Sequence, residues 1–316
     1  MESHPQEHFI TLPLVSKSEE SVQLPLVINV VAKYWGEDIT DRDSAGSATV
    51  QKGTILIEGI EIAERRGFMS YIYRGSTKDL KKRIDQGIPP IVIMPGLKGL
   101  AQHATIVCGY NPEERRILTY VPEPDTVGAI PEGNFEQEWE QDDMTTIVIV
   151  PSDMKDLFKD ENLKFAASNR LCFEAERLRQ KEDVEGAIKK VENATEIDSD
   201  NAQAWCILAG IYNEIGSEAA VPYYEKAIKL NPRFYLAYRG LGNYYLKRHE
   251  YSLAEHMYTE AIRINATRFG SVYKNRGLAK MQLGNSAGAK EDFQEYLEQA
   301  PFAEDRKAIE EALLEL

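Results

Sequence analysis

Cysteine is scarce. Cys108, Cys172 and Cys206 are the only three among 316 residues, an odd number set among apolar neighbours, which argues against a disulfide framework and for reduced thiols. No run approaches the ~18–20 uncharged apolar residues a bilayer span needs, and Glu2, Glu7, Lys17, Glu19 and Glu20 interrupt the start, so neither a transmembrane helix nor a signal peptide is expected. Positive charge is in deficit as well: 37 Lys and Arg face 51 Asp and Glu, for a net charge of −14. That field repels phosphate backbones, and no Lys/Arg block with interleaved aromatics opposes it, so a nucleic-acid partner is not expected. The reduced thiols lead to the expectation of a cytoplasmic protein, the alternative being an exported protein whose leader has been removed.

What is present is enough apolar residue, 43%, for two independent cores. Residues 1–22 read as a polar tail that contains a short extended piece, Phe9 to Val15, suited to an edge strand. From Gln23 the pattern is helical, with Pro25 in the first turn, Leu26, Val30, Val31 and Tyr34 returning on one face, and Gly36 as the stop. Thr54 to Arg66 forms a second amphipathic helix ending at Gly67. Phe68 to Tyr73 alternates as a strand, and Ser76 caps a short helix closed at Gly87. IPPIVIMP, HATIVCGY, RRILTYV and TTIVIVP then read as strands divided by turn residues. Helices first and antiparallel strands afterwards is an α+β order.

The span from about Leu12 to Val150 resembles the C39-like peptidases, a papain-like family of bacteriocin-processing and related bacterial proteins. The likeness rests on LPLVSK, on QLP opening a helix that ends in Tyr34, Trp35 and Gly36, on HATIVCGY from His103 to Tyr110, on YVPEP with Glu123 before Pro124, and on GNFEQEWEQDDMTTIVIV. It implies a papain-like α+β domain over residues 1–150. By the same likeness the nucleophile position falls on Gln23, the following Gly on Leu24, and the oxyanion Gln on Lys17. Lys17, Gln23, His103 and Glu123 are thus vestiges of a catalytic set. A thiol protease needs a thiolate, a proton-accepting His, an orienting group and an oxyanion donor acting together. A carboxamide cannot attack a carbonyl, so no enzymatic activity is expected. Cys108 lies five residues beyond His103, on the opposite face of its strand.

His103 and Glu123 alone make a poor metal site, and neither a metal nor a cofactor is expected. His4 and His8 fall in the tail, His249 and His256 on repeat helices, and none is assigned a role.

After a charged linker, 151–162, the chain is helical and self-similar at about 34 residues through 163–316, the period of tetratricopeptide repeats. The clearest copy carries Trp205, Leu208, Ala209, Tyr212, Ala220, Tyr224, Ala227 and Pro232. Another carries Tyr238, Leu241, Gly242, Tyr245, Ala254, Tyr258 and Ala261, and a later one Tyr273, Gly277, Ala289, Phe293 and Pro301. The first copy, built on Leu171, Ala175, Leu178, Ala187 and Ala194, is degenerate, and Phe302 to Leu316 closes the array. The expected architecture is an α+β papain-like domain followed by an all-α TPR solenoid of about four hairpins.

Stacked hairpins leave a concave groove lined by their first helices. Projected onto this chain, the family's groove positions are Asn213, Arg239, Asn243 and Lys274, a set that could clasp a chain terminus or an acidic side chain. The leading expectation is a non-catalytic adaptor that binds a protein or peptide. The alternatives are a hydrolase using His103 with water, and a self-associating scaffold.

Overall fold

The computed structural model describes residues 8–13, 26–37, 39, 55–95, 102–121, 126–268 and 270–316. It divides into two compact units. One comprises Met1–Ile93, Ala104–Trp139 and Met144–Phe173; the other comprises Met94–His103, Glu140–Asp143 and Glu174–Leu316. The last division lies at Phe173/Glu174, inside a helix and later in the chain than the expected 162/163.

In the first unit, α1 (Leu26–Tyr34) and α2 (Ile55–Arg65) precede β1 (Phe68–Arg74), α3 (Thr77–Asp85), β2 (Ile91–Pro95), β3 (Gln102–Asn111), β4 (Arg116–Val121), β5 (Thr126–Pro131), α4 (Glu132–Trp139) and β6 (Thr145–Pro151). The strands form one sheet in the order β1-β6-β2-β3-β4-β5, with β6 antiparallel to β1 and to β2, and β4 antiparallel to β3 and to β5. The apolar run of β6 has a simple cause: both of its faces are covered. Ile147 and Ile149 pack with Val27, Val30 and Val31 of α1 and Ile60 and Ala63 of α2. Val148 and Val150 pack on the other side with Tyr73, Ile88 and Phe158. Ser76 caps α3 as its sequence requires, its hydroxyl accepting from the Asp79 N–H at 3.1 Å.

Two expectations are corrected. The edge strand at Phe9 to Val15 reduces, among its described residues, to a single bridge between Phe9 and Gly109, flanked by bonds from Ile10 N–H to the Cys108 carbonyl (2.7 Å) and from Tyr110 N–H to the His8 carbonyl (2.9 Å). In addition β5, not expected from its sequence TVGAIP, pairs with β4 along its whole length. A short segment carrying Gly and Pro has little strand propensity of its own, and β5 forms because β4 offers it a ladder. The segment Ser152–Phe158, within the expected linker, is a 3-10 helix with Phe158 buried.

The second unit is built of helical hairpins. After α5 (Ala166–Gln180), whose later part belongs here, come α6 (Val184–Ile197), α7 (Ala202–Glu214), α8 (Ala220–Leu230), α9 (Tyr235–Lys247), α10 (Tyr251–Ile264), α11 (Ser271–Gln282), α12 (Ser286–Gln299) and α13 (Arg306–Glu315). Small residues set the approach within a hairpin. A Cβ placed on Gly242 would lie 2.7 Å from the ring of Tyr258, which is fully buried, so only glycine lets α9 and α10 pack this closely.

Each hairpin turn uses one left-handed residue: Glu182 (φ 63°), Gly216 (φ 74°), His249 (φ 62°) and Gly284 (φ 79°). His249 is therefore a turn residue and not a helical one. Nothing lies within 4 Å of a Cβ built on Gly216, so the effect of Gly216→Ala is purely conformational. It should cost about 1 kcal/mol, while His249→Gly should recover about 0.5–1 kcal/mol. Urea titration of the two variants checks both signs.

Candidate peptide-binding surface

The first helices of the hairpins, α7, α9 and α11, carry the four residues expected to line the groove, and local bonds already engage most of them. Asn213 donates from Nδ2 to the Gly240 carbonyl at 3.4 Å. Asn243 Oδ1 accepts from Tyr258 Oη at 2.7 Å and from Asn275 Nδ2 at 3.1 Å. Lys274 Nζ pairs with Asp305 Oδ2 at 2.6 Å and lies 5.4 Å from the centre of the Tyr296 ring. Arg239 is half-buried. Burial, and then the positive charge of Arg268, hold its guanidinium below the ordinary arginine range, while Tyr235, Cys206 and Tyr224 draw it up. The two asparagines thus tie neighbouring helices together, Lys274 is joined to the residue just before α13, and Arg239 shares its field with a residue outside the expected set.

A second cluster lies at the loops that join successive hairpins. The tetrapeptide Glu140–Asp143 belongs to this unit, and its first three residues form a 3-10 turn. Gln141, Asp142 and Asp143 are all buried. Asn231 Nδ2 donates to the Glu140 carbonyl at 2.9 Å and to Asp143 Oδ1 at 3.1 Å. Asn265, one repeat period later, donates from Nδ2 to Gln141 Oε1 at 3.1 Å. Arg268 pairs with Asp142 Oδ1 at 2.6 Å, and neither side chain reaches solvent. Arg233 Nε lies 3.3 Å from Glu140 Oε2. The Arg268 guanidinium also stacks 4.5 Å from the centre of the Tyr235 ring, which covers its apolar face. Asp143 takes a left-handed conformation, φ 55°, a cost of order 1 kcal/mol that its contacts must outweigh.

This cluster escaped the sequence reading, although a signal was present. Arg268 falls one repeat period after Phe234, a buried residue. A charge in register with a core aromatic needs a partner, and the periodic pattern does not say which acid supplies it.

Of the positions expected to be vestiges of a catalytic set, Lys17, Gln23 and Glu123 lie outside the described residues. His103, at the start of β3, places Nδ1 2.7 Å from the Pro95 carbonyl. A carbonyl only accepts, so Nδ1 carries the proton and donates. Burial lowers the His103 pKa, the Pro95 bond opposes this, and the charge of Arg268 lowers it further. The neutral imidazole is therefore favoured. The folded state binds this proton less readily than the unfolded chain, so the associated stability is complete above the unfolded value of about 6.5 and is lost as pH falls below it, by up to about 1.4 kcal/mol per pH unit. An NMR titration should find His103 below 6.5. A value above 6.5 would contradict the geometry. Burial pushes the Cys108 thiol up to about 12 and the Cys206 thiol also to about 12, with the Arg239 charge opposing and the Asp143 charge assisting, so neither is a thiolate near neutrality. Among the described residues no group of three or more His, Cys, Asp or Glu could hold a metal ion, and no helix is long and apolar enough to cross a membrane.

Residues 216–268, from the α7–α8 turn to Arg268, match the tetratricopeptide repeat family. No curated protein matches the chain. Among solved structures the chain is similar to pilF of Pseudomonas aeruginosa, with 24% identity over 47% of this chain and 68% of that one and a TM-score of 0.44. It is also similar to MamA, with 24% identity over 40% of this chain and 74% of that one and a TM-score of 0.38. A third is a thermophilic TPR protein of Thermus thermophilus, with 20% identity, coverage of 47% and 80%, and a TM-score of 0.38.

Proposed function

We propose that the protein is a non-catalytic adaptor whose hairpin array holds a protein or peptide partner, and whose first unit is a C39-like, papain-like domain that has lost its nucleophile and serves as a folded docking module. The observation that carries the adaptor reading is the repeat array itself: helical hairpins α7 to α12 with a tetratricopeptide match over 216–268. Stacked units of this kind present an extended surface that a single globular core does not. The loss of catalysis is supported by Gln23 and Lys17 at the positions the resemblance assigns to the nucleophile and the oxyanion donor, and by thiols at Cys108 and Cys206 that burial keeps protonated. Free thiols at all three cysteines fit a cytoplasmic location.

The test has two arms. A covalent thiol-protease probe should leave the protein unlabelled, and labelling that disappears in His103→Ala would overturn the non-catalytic reading. In the second arm, proteins captured by the wild-type chain should be lost from Lys274→Glu. That substitution exchanges a partly exposed ion pair with Asp305 for two facing carboxylates, so the stability cost should be about 1–2 kcal/mol, and Lys274→Gln, which removes the pair without the repulsion, should lose capture at a cost below about 1 kcal/mol. Equal capture by a Lys274→Gln chain of normal thermal midpoint would remove the groove from the binding surface.

A further inference from the structure

The second helices of successive hairpins end alike. Asp198, Asn231, Asn265 and Ala300 are the C-caps of α6, α8, α10 and α12, with φ of −130°, −136°, −156° and −126°. In each, the cap N–H donates to a helix carbonyl, that of Ala194, Ala227, Ala261 or Tyr296. An aspartate and an alanine meet the same backbone demand, so the conformation does not explain the two asparagines. Their side chains do. Each uses Oδ1 to cap its own loop, accepting from Arg233 N–H at 3.0 Å or Thr267 N–H at 3.1 Å, and each turns Nδ2 onto the tetrapeptide. The loop capped by Asn265 also carries Arg268, whose buried guanidinium meets the Asp142 carboxylate.

From this geometry we infer that Asn231, Asn265 and Arg268 form a recognition site for an acidic turn of the order Gln-Asp-Asp, occupied in this chain by its own residues 141–143, and that the partner it fits is a protein presenting such a turn. The two amides read the backbone and the first and last side chains, and the guanidinium requires the central carboxylate. The site lies in the loops between hairpins and does not use Asn213, Asn243 or Lys274; Arg268 shares its field with Arg239, so the Asn231 and Asn265 substitutions, which touch no groove residue, separate its test from that of the groove. The resident turn is a tethered competitor, present at high effective concentration, so an external turn binds the wild-type chain weakly and binds better once the resident carboxylate is removed.

The experiment titrates a fluorescein-labelled heptapeptide, Trp-Glu-Gln-Asp-Asp-Met-Thr, into the full-length chain and follows anisotropy. Asp142→Ala should bind it at least about tenfold more tightly than wild type, with a peptide-dependent rise in thermal midpoint. A Gln-Asn-Asn version of the peptide, or the addition of Asn231→Ala and Asn265→Ala, should lose that gain. If Asp142→Ala lacks native circular dichroism, Asp142→Asn, of the same size, is read by the same criteria. A folded variant that binds no better than wild type, or that does not distinguish the Asp-Asp from the Asn-Asn peptide, would overturn the assignment.

Discussion

Asp142→Ala should lower the unfolding free energy of the second unit by about 3–5 kcal/mol, the cost of deleting one partner of a buried ion pair. The Arg268 guanidinium meets the Asp142 carboxylate at 2.6 Å with neither side chain exposed, so water cannot replace the missing acid without opening the loop. The 3.5 Å contact from Arg268 Nη1 to the Gln141 carbonyl is too long to compensate. The control is the double replacement Asp142→Leu/Arg268→Met, which removes both charges. It should regain most of the loss, because a well-packed apolar pair is often as stable as a buried ionic one. Urea unfolding followed by circular dichroism, with the transitions of the two units fitted separately, reads both. A loss below about 1 kcal/mol in Asp142→Ala would show that the pair is reached by solvent.

In the first unit the corresponding substitution is Arg83→Ala. The Arg83 side chain is fully buried and joins four groups: Asp79 Oδ1 at 3.0 Å, Gln86 Oε1 at 3.2 Å, the Glu161 carboxylate, and the ring of Phe158 at 4.7 Å. Asp79 also accepts from Tyr73 Oη at 2.5 Å, so the guanidinium organises a cluster that fastens residues beyond β6 to α3. Its loss should cost about 3–5 kcal/mol, and Arg83→Lys should restore little, because one ammonium cannot serve partners arranged around a planar fork. The hydrogen bond from Arg83 holds the Glu161 carboxyl below its ordinary range, assisted by Lys82. A depressed carboxylate stabilises the fold above its unfolded pKa, and that contribution is lost as pH falls through the folded value. Arg83→Ala should therefore flatten the acid limb of the stability curve as well as lower it. An acid limb of unchanged steepness would place the Glu161 titration elsewhere.

The repeats, the α+β order and the Ser76 cap were legible because each is fixed by residues close in sequence. Periodic small and aromatic residues define a hairpin, and a hydroxyl three residues before an amide defines a cap. What was not legible depended on a distant partner. Asn243 and Lys274 share the first-helix pattern of groove residues, yet Tyr258 and Asp305 engage them, and no pattern within α9 or α11 announces those bonds. β5 was invisible because its ladder is supplied by β4. Asn231 and Asn265 read as ordinary loop asparagines until the carboxylate and carbonyl facing them are known.

The strand order also bears on how the chain acquires its structure as it is made. β6 lies between β1 and β2, although it is the last strand to be synthesised. Until residue 151 has left the ribosome, β1 cannot find its neighbour and the apolar faces of α1 and α2 lack the strand that covers them. The first unit thus waits on long-range pairing, with the slow closure such topology entails. In the second, each hairpin contacts mainly the one just made and can assemble as it emerges. The earlier-synthesised unit is the one whose completion is deferred, and during that interval its exposed strand edges are the part of the nascent chain most open to aggregation.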